Sequence, residues 1–161
     1  MEDKSFIRKE KPAIVPEGWE NKVVRRRILV VEDDDDIRRF NTEVLTGSGY
    51  HVEAAVDGAK GWEALNSGRY DLLITDNNMP NLTGIELIRK LNDARIPVPV
   101  ILASGLEFVD QVAELRVAAT LPKPFTLDEL LGTVKKVLGE TGGGEWQAPA
   151  PTQPPADSQR V

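Results

Sequence analysis

The chain has 161 residues, 40% of them hydrophobic and 29% charged, which suits one domain of roughly 100–150 residues with extensions rather than two domains. A formal net charge of −6 argues against nonspecific nucleic-acid binding, which needs a cationic surface, and favours cations or protein partners. With no cysteine and the single histidine His51, the sequence excludes disulfides, thiolate catalysis and Cys- or His-rich metal centres, and leaves oxygen ligands for hard cations.

Residues 1–26 read as an N-terminal extension, partly ordered or flexible and basic on balance. Met1–Glu10 is charged throughout, without the apolar segment of a signal peptide, and no run approaches the ~20 apolar residues that span a bilayer. A cytoplasmic chain without membrane contact is the expectation. Lys4–Lys11 reads as a short helix and Pro12–Trp19 as a loop, and Arg25, Arg26 and Arg27 keep the entry to the core solvated.

The domain proper is expected over residues 27–140, where the acidity is concentrated. Ile28–Val31 is a continuous apolar run of the kind buried on both faces of a parallel sheet, and an acidic cluster ends it. Asp36–Thr46 follows as a helix with Ile37, Phe40, Val44 and Leu45 near helical spacing, stopped by Gly47 or Gly49. His51–Val56 reads as a strand, and Gly58–Asn66 as a helix with Trp62 and Leu65 on one face. Tyr70–Thr75 is a strand ending in Asp76, and Thr83–Leu91 a helix capped by Thr83 or Asn81, with Ile85, Ile88 and Leu91 inward. Val98–Ala103 is the fourth strand, Leu106–Val117 a helix, Ala119–Pro122 a short fifth strand, and Thr126–Leu138 a helix striped by Leu127, Leu130, Leu131, Val134 and Val137. Residues 141–161, with Gly142–Gly144 and then Pro149, Pro151, Pro154 and Pro155, read as a disordered tail in which Trp146 is exposed.

Five strand–helix units imply an α/β fold: a parallel sheet covered on both faces, its right-handed crossovers bringing every strand's C-terminal end to one rim. That rim collects Glu32, Asp33 and Asp34 after the first strand, Asp76 after the third, Ser104 after the fourth and Lys123 after the fifth. The helix dipole accounts for Asp35 and Asp36 in a first helical turn, but not for the whole acidic set. Converging carboxylates repel unless a cation joins them, and Mg2+, a hard ion that prefers oxygen ligands, suits such a set. Lysine and hydroxyl groups beside it match the oxygens of a phosphoryl group, with Asp76 as the carboxylate nucleophile. Singly, Lys123 reads as a salt-bridge partner and Ser104 as a turn residue; the combination points to phosphoryl chemistry.

These segments resemble the receiver domains of two-component response regulators: Ile28–Asp34, Asp71–Pro80 followed by Gly84, Pro99–Gly105 and Leu121–Phe125, in order across Arg27–Gly139. The resemblance implies a flavodoxin-like (βα)5 fold with strand order 2-1-3-4-5, and phosphotransfer to Asp76 from a histidine kinase or histidine phosphotransfer protein. It implies magnesium held by Asp33, Asp76 and the main-chain carbonyl of Asn78, with Glu32 acting through a water. It also implies a phosphoryl contact from Lys123, a switch hydroxyl at Ser104 with the small Gly105 beside it, and a cis peptide between Lys123 and Pro124. Thr120 stands where many relatives carry an aromatic switch residue, which departs from the family pattern. By the same resemblance an amide at Asn78, two after the acceptor, implies quicker loss of phosphate, with an expected phosphoryl lifetime of minutes rather than many hours.

Output is expected through the helix 4/strand 5/helix 5 face, which is also the face for any homodimer, in a signalling phosphoacceptor rather than a classical enzyme. The alternatives are a haloacid-dehalogenase-like phosphohydrolase, whose Asp-x-Asp order after the first strand is not matched, and a pseudo-receiver scaffold that is never phosphorylated. Flavin binding is disfavoured because acids after the first strand repel phosphate and no glycine-rich cradle is present.

Overall fold

The computed structural model describes residues 25–105 and 109–140. Its apolar runs pair as β1 (Arg27–Val31), β2 (His51–Ala55), β3 (Leu72–Asp76), β4 (Val100–Ser104) and β5 (Ala119–Pro122). All pairings are parallel, in the expected order β2-β1-β3-β4-β5. Register keeps the C-terminal ends level: Val31 lies opposite Ala55 and Thr75, Asp76 opposite Ala103, and Ser104 opposite Pro122. The β4 ladder starts at Val100, later than the apolar pattern predicts, because Pro97 and Pro99 carry no N–H to donate.

Alternate side chains of each strand feed two cores, one on either face of the sheet. Ile28, Val30, Leu72, Ile74 and Ile101 pack with Leu45 of α1 (Asp35–Gly47) and with Leu130, Val134 and Val137 of α5 (Leu127–Val137). Leu29, Val31, Leu73, Val100 and Leu102 pack with Leu65 of α2 (Gly58–Ser67) and with Ile85, Ile88 and Leu91 of α3 (Gly84–Asp93). Each of these four helices begins at a side-chain cap. Asp34 accepts from the amides of Asp36 and Ile37, Asp57 from that of Lys60, and Thr83 and Thr126 form capping boxes with Glu86 and Glu129. Thr83 therefore caps α3, and Asn81 instead adopts a left-handed backbone with φ of 67°. Gly49, at φ 96°, supplies the turn after α1.

Two expectations need correction. The helix predicted over Leu106–Val117 is only Val109–Val112 (α4) among the described residues. After it the chain winds off through Leu115 N–H to Val112 O and Val117 N–H to Leu115 O, and Ala118 N–H joins Val100 O at the sheet edge. Val112 at the end of α4 and Leu115 and Val117 beyond it pack against the core. Leu127, placed on the inward stripe of the last helix, is 42% exposed, because the inward face of α5 starts at Leu130. The expectations for residues 1–24 and 141–161, including Trp146, lie outside the described residues. Among the described residues no helix is long and apolar enough to cross a membrane.

Candidate functional site

Glu32, Asp33 and Asp76 are brought together by the pairing of β1 with β3. Each offers a carboxylate oxygen, and these oxygens lie within 4.8 Å of one another. Glu32 and Asp76 are buried, whereas Asp33 is exposed at the mouth. Lys123 reaches this cluster from the loop after β5, across the cis Lys123–Pro124 peptide. Its Nζ stands 3.1 Å from Glu32 Oε2 and 3.1 Å from Asp76 Oδ1. One ammonium thus bridges two buried carboxylates, and its main chain is held by donation from Lys123 N–H to Ser104 O at 3.1 Å.

The electrostatics follow from this arrangement. Burial pushes the Glu32 carboxyl above its ordinary value; the neighbouring Asp76 charge adds to the rise, and Lys123 opposes it without cancelling it. Burial by itself would lower the Lys123 ammonium, but the charges of Asp76 and Glu32 outweigh it and hold the lysine protonated above its usual range. The site therefore presents buried negative oxygens beside a fixed positive donor.

Backbone details fix the two loops that carry the acids. In the first, the Arg38 guanidinium donates to the main-chain oxygens of Glu32 at 2.8 Å and Asp33 at 3.3 Å, and also pairs with Asp35. Glu32 Oε1 accepts from Asp34 N–H at 3.2 Å. In the second, Asn77 turns the chain out of β3: its side-chain oxygen accepts from Ile85 N–H at 3.0 Å and its carbonyl from Gly84 N–H at 3.1 Å. Gly84 has to be glycine, since a Cβ there would lie 2.1 Å from Asp76 O. Neither Arg38 nor Asn77 stood out in the sequence as a site residue, because both act through main-chain atoms and helical spacing gives no sign of it.

Of the remaining predicted residues, Ser104 and Asn78 lie at or just after strand ends, whereas Thr120 lies within β5 opposite Leu102. Ser104 ends β4 at the edge of burial, its hydroxyl donating to Gly105 O at 3.2 Å. Asn78 is exposed on the loop between β3 and α3, and Thr120 is exposed on β5. Beside Lys123 lies an apolar groove of about 510 Å³, between α1 and the loop after β5, lined by Ile37, Phe40, Asn41, Pro124 and Phe125. Phe40, read from its spacing as inward, is 45% exposed on this groove. Asn41 is buried there, and its Oδ1 has no hydrogen-bond partner.

A family model described as the response regulator receiver domain matches residues 28–135. The chain belongs to that family. Among curated relatives of this receiver domain, response regulator MprA of Mycobacterium ulcerans is 39% identical over 118 residues, 71% of this chain and 51% of MprA. The response regulator receiver protein CpdR of Brucella abortus is 38% identical over 117 residues, 70% of this chain and 97% of CpdR. The chain thus spans about half the length of the MprA relatives and nearly all of CpdR.

Solved receiver structures share the fold. Response regulator TrrA of Thermotoga maritima, determined in complex with Mg2+–BeF, superposes with a TM-score of 0.64 at 31% identity, covering 69% of this chain and 97% of TrrA. Chemotaxis protein CheY4 of Vibrio cholerae gives a TM-score of 0.66 at 28% identity, covering 71% of this chain and 99% of CheY4. Response regulator receiver domains are signalling proteins rather than classical enzymes.

Proposed function

We propose that this receiver domain, residues 27–140, accepts a phosphoryl group on Asp76 from a phosphohistidine of a kinase or phosphotransfer protein, with Mg2+ as cofactor. The observation that carries the reading is the meeting of Glu32, Asp33 and Asp76 oxygens within 4.8 Å with Lys123 Nζ 3.1 Å from two of these side chains. An all-oxygen set of that size fits a hard divalent cation, with Asp33, Asp76 and the Asn78 carbonyl as ligands and Glu32 acting through water. TrrA, at 31% identity, was captured with Mg2+–BeF, which supports the same ligand for this chain. When bound, the metal supplies positive charge to the phosphoryl oxygens.

The chain's own groups account for the rest. A carboxylate oxygen of Asp76 attacks phosphorus as the phosphorus–nitrogen bond to the donor imidazole breaks, giving an acyl phosphate on Asp76 and a free histidine. Lys123 is already protonated and aimed at the acceptor, so it moves its hydrogen bonds from carboxylate to phosphoryl oxygen with little reorganisation. Ser104, one strand away, offers a hydroxyl to a second oxygen, with Gly105 next to it. The groove beside Lys123, with exposed Phe40, gives the donor protein an apolar seat next to the acceptor. The altered state is passed on through α4, β5 and α5, the face that also serves a homodimer, with Thr120 in place of an aromatic switch.

The test is a titration with Mg2+ followed by beryllofluoride, read by backbone amide signals. Shifts at Asp76, Ser104 and Lys123 are expected. An unchanged spectrum would favour an interaction scaffold, and steady turnover of small phosphate esters a phosphohydrolase.

A further inference from the structure

The loop from Asn77 to Thr83 is anchored at its base by Asn77, Gly84 and Ile85 and by Met79 and Leu82 packed into the core, while Asn78 and Asn81 are exposed and Asn78 carries a proposed metal ligand. Among the described residues, one side-chain hydrogen bond ties residues 78–82 to another element. Asn81 Nδ2 donates to Asp57 Oδ2 at 2.9 Å. The same carboxylate divides its work, because Asp57 Oδ1 accepts from Lys60 N–H at 2.8 Å and caps α2. Asp57 is therefore fixed by a helix end before it meets Asn81. Asn81 holds a left-handed φ of 67°, a conformation that asparagine tolerates better than most residues. The next residue is wedged too: a Cβ on Gly58 would fall 2.2 Å from Leu82 O, so the first turn of α2 presses directly on the loop backbone.

We infer that the Asp57–Asn81 hydrogen bond and the Gly58–Leu82 contact clamp the outer turn of the β3–α3 loop onto α2, making Asp57 and Asn81 positioning residues for divalent-cation uptake. This rests on the metal reading above. A ligand carbonyl on an untied turn must be ordered when the ion binds, and that ordering weakens binding; a clamp formed beforehand removes the loss. Neither residue touches the ion, and their effect is carried by the loop.

The experiment is Mg2+ titration by calorimetry of the full chain and of Asn81→Gly, Asp57→Ser and the double variant, with thermal midpoints and amide exchange of residues 78–82. Glycine keeps the left-handed turn without the amide, and serine keeps the helix cap but is too short to reach Asn81. Each single variant is expected to bind Mg2+ about five-fold more weakly, the equivalent of about 1 kcal/mol for one exposed hydrogen bond. Exchange in the loop should quicken while the thermal midpoint is nearly kept. The double variant should be no weaker than either single, since both remove one shared contact. Unchanged Mg2+ affinity in both singles, or losses that add in the double, would overturn the inference alone. Absence of Mg2+ binding in the unsubstituted chain would overturn the metal reading and the inference with it.

Discussion

Lys123 Nζ stands 3.1 Å from Asp76 Oδ1, joining the loop after the edge strand β5 to the end of the central strand β3. The same ammonium is 3.1 Å from buried Glu32, so the lysine offsets two carboxylates that would otherwise repel. A phosphoryl group on Asp76 would take over part of that negative charge at the same donor.

Removing the lysine separates its two tasks. Lys123→Ala is expected to lower stability by about 1–3 kcal/mol, less than for a fully buried pair because its side chain is 26% exposed. Millimolar Mg2+ should restore much of that loss, since the freed carboxylates bind the ion at least as well, while the amide response to beryllofluoride fades. Denaturant titration with and without Mg2+ checks this; equal loss of metal binding and beryllofluoride response would contradict the role of Lys123.

Gly84→Ala tests the seating of the acceptor strand. Its Cβ would meet Asp76 O at 2.1 Å, a backbone atom that cannot swing aside. The expected cost is about 3 kcal/mol or more, with weakened Mg2+ uptake, measured by urea unfolding and calorimetry. A stable variant with unchanged uptake would show that the end of β3 can shift freely.

The opposite end of the sheet predicts a pH dependence. Hydrogen bonds from Tyr70 and Arg27 hold the Glu53 carboxyl below its ordinary value despite partial burial. A folded value below the unfolded one gives stability that is present above the unfolded value and lost as pH falls through the folded one. Glu53→Gln should therefore lower the urea midpoint near neutrality, modestly because the pair is well solvated, and the gap should close on acidification below about pH 4. A constant gap across that range would refute the assignment.

The groove beside the acceptor predicts a difference between donors. Phe40→Ala should slow transfer from a protein phosphodonor while leaving phosphorylation by acetyl phosphate unchanged, because only the larger donor uses the apolar seat. Equal rates with both donors would remove the groove from the docking surface.

Much of this molecule was legible from patterns that follow directly from backbone periodicity. The apolar run Ile28–Val31 marked a strand buried on both faces, Tyr70–Thr75 read as a strand that the structure forms from Leu72 to Asp76, and reading the residue at each strand end brought Glu32, Asp76, Ser104 and Lys123 to one rim. Periodicity misled where position on the fold overrides spacing. Phe40 falls at helical spacing with Ile37 and Val44 yet lies exposed on the groove beside Pro124 and Phe125, and Leu127 comes one turn before the buried face of α5 begins at Leu130. The fourth helix is shorter than its apolar pattern predicts, and Leu115 and Val117 pack against the core beyond its end. The Asp57–Asn81 contact was not legible at all, since neither residue departs from ordinary cap and turn chemistry until the two loops meet.

The most direct measurement of the central claim is the intact mass of the chain after incubation with acetyl phosphate and Mg2+. The account predicts one added phosphoryl group, labile to hydroxylamine as an acyl phosphate, and lost in Asp76→Asn or when Mg2+ is chelated. No added mass, or the same addition in Asp76→Asn, would contradict it.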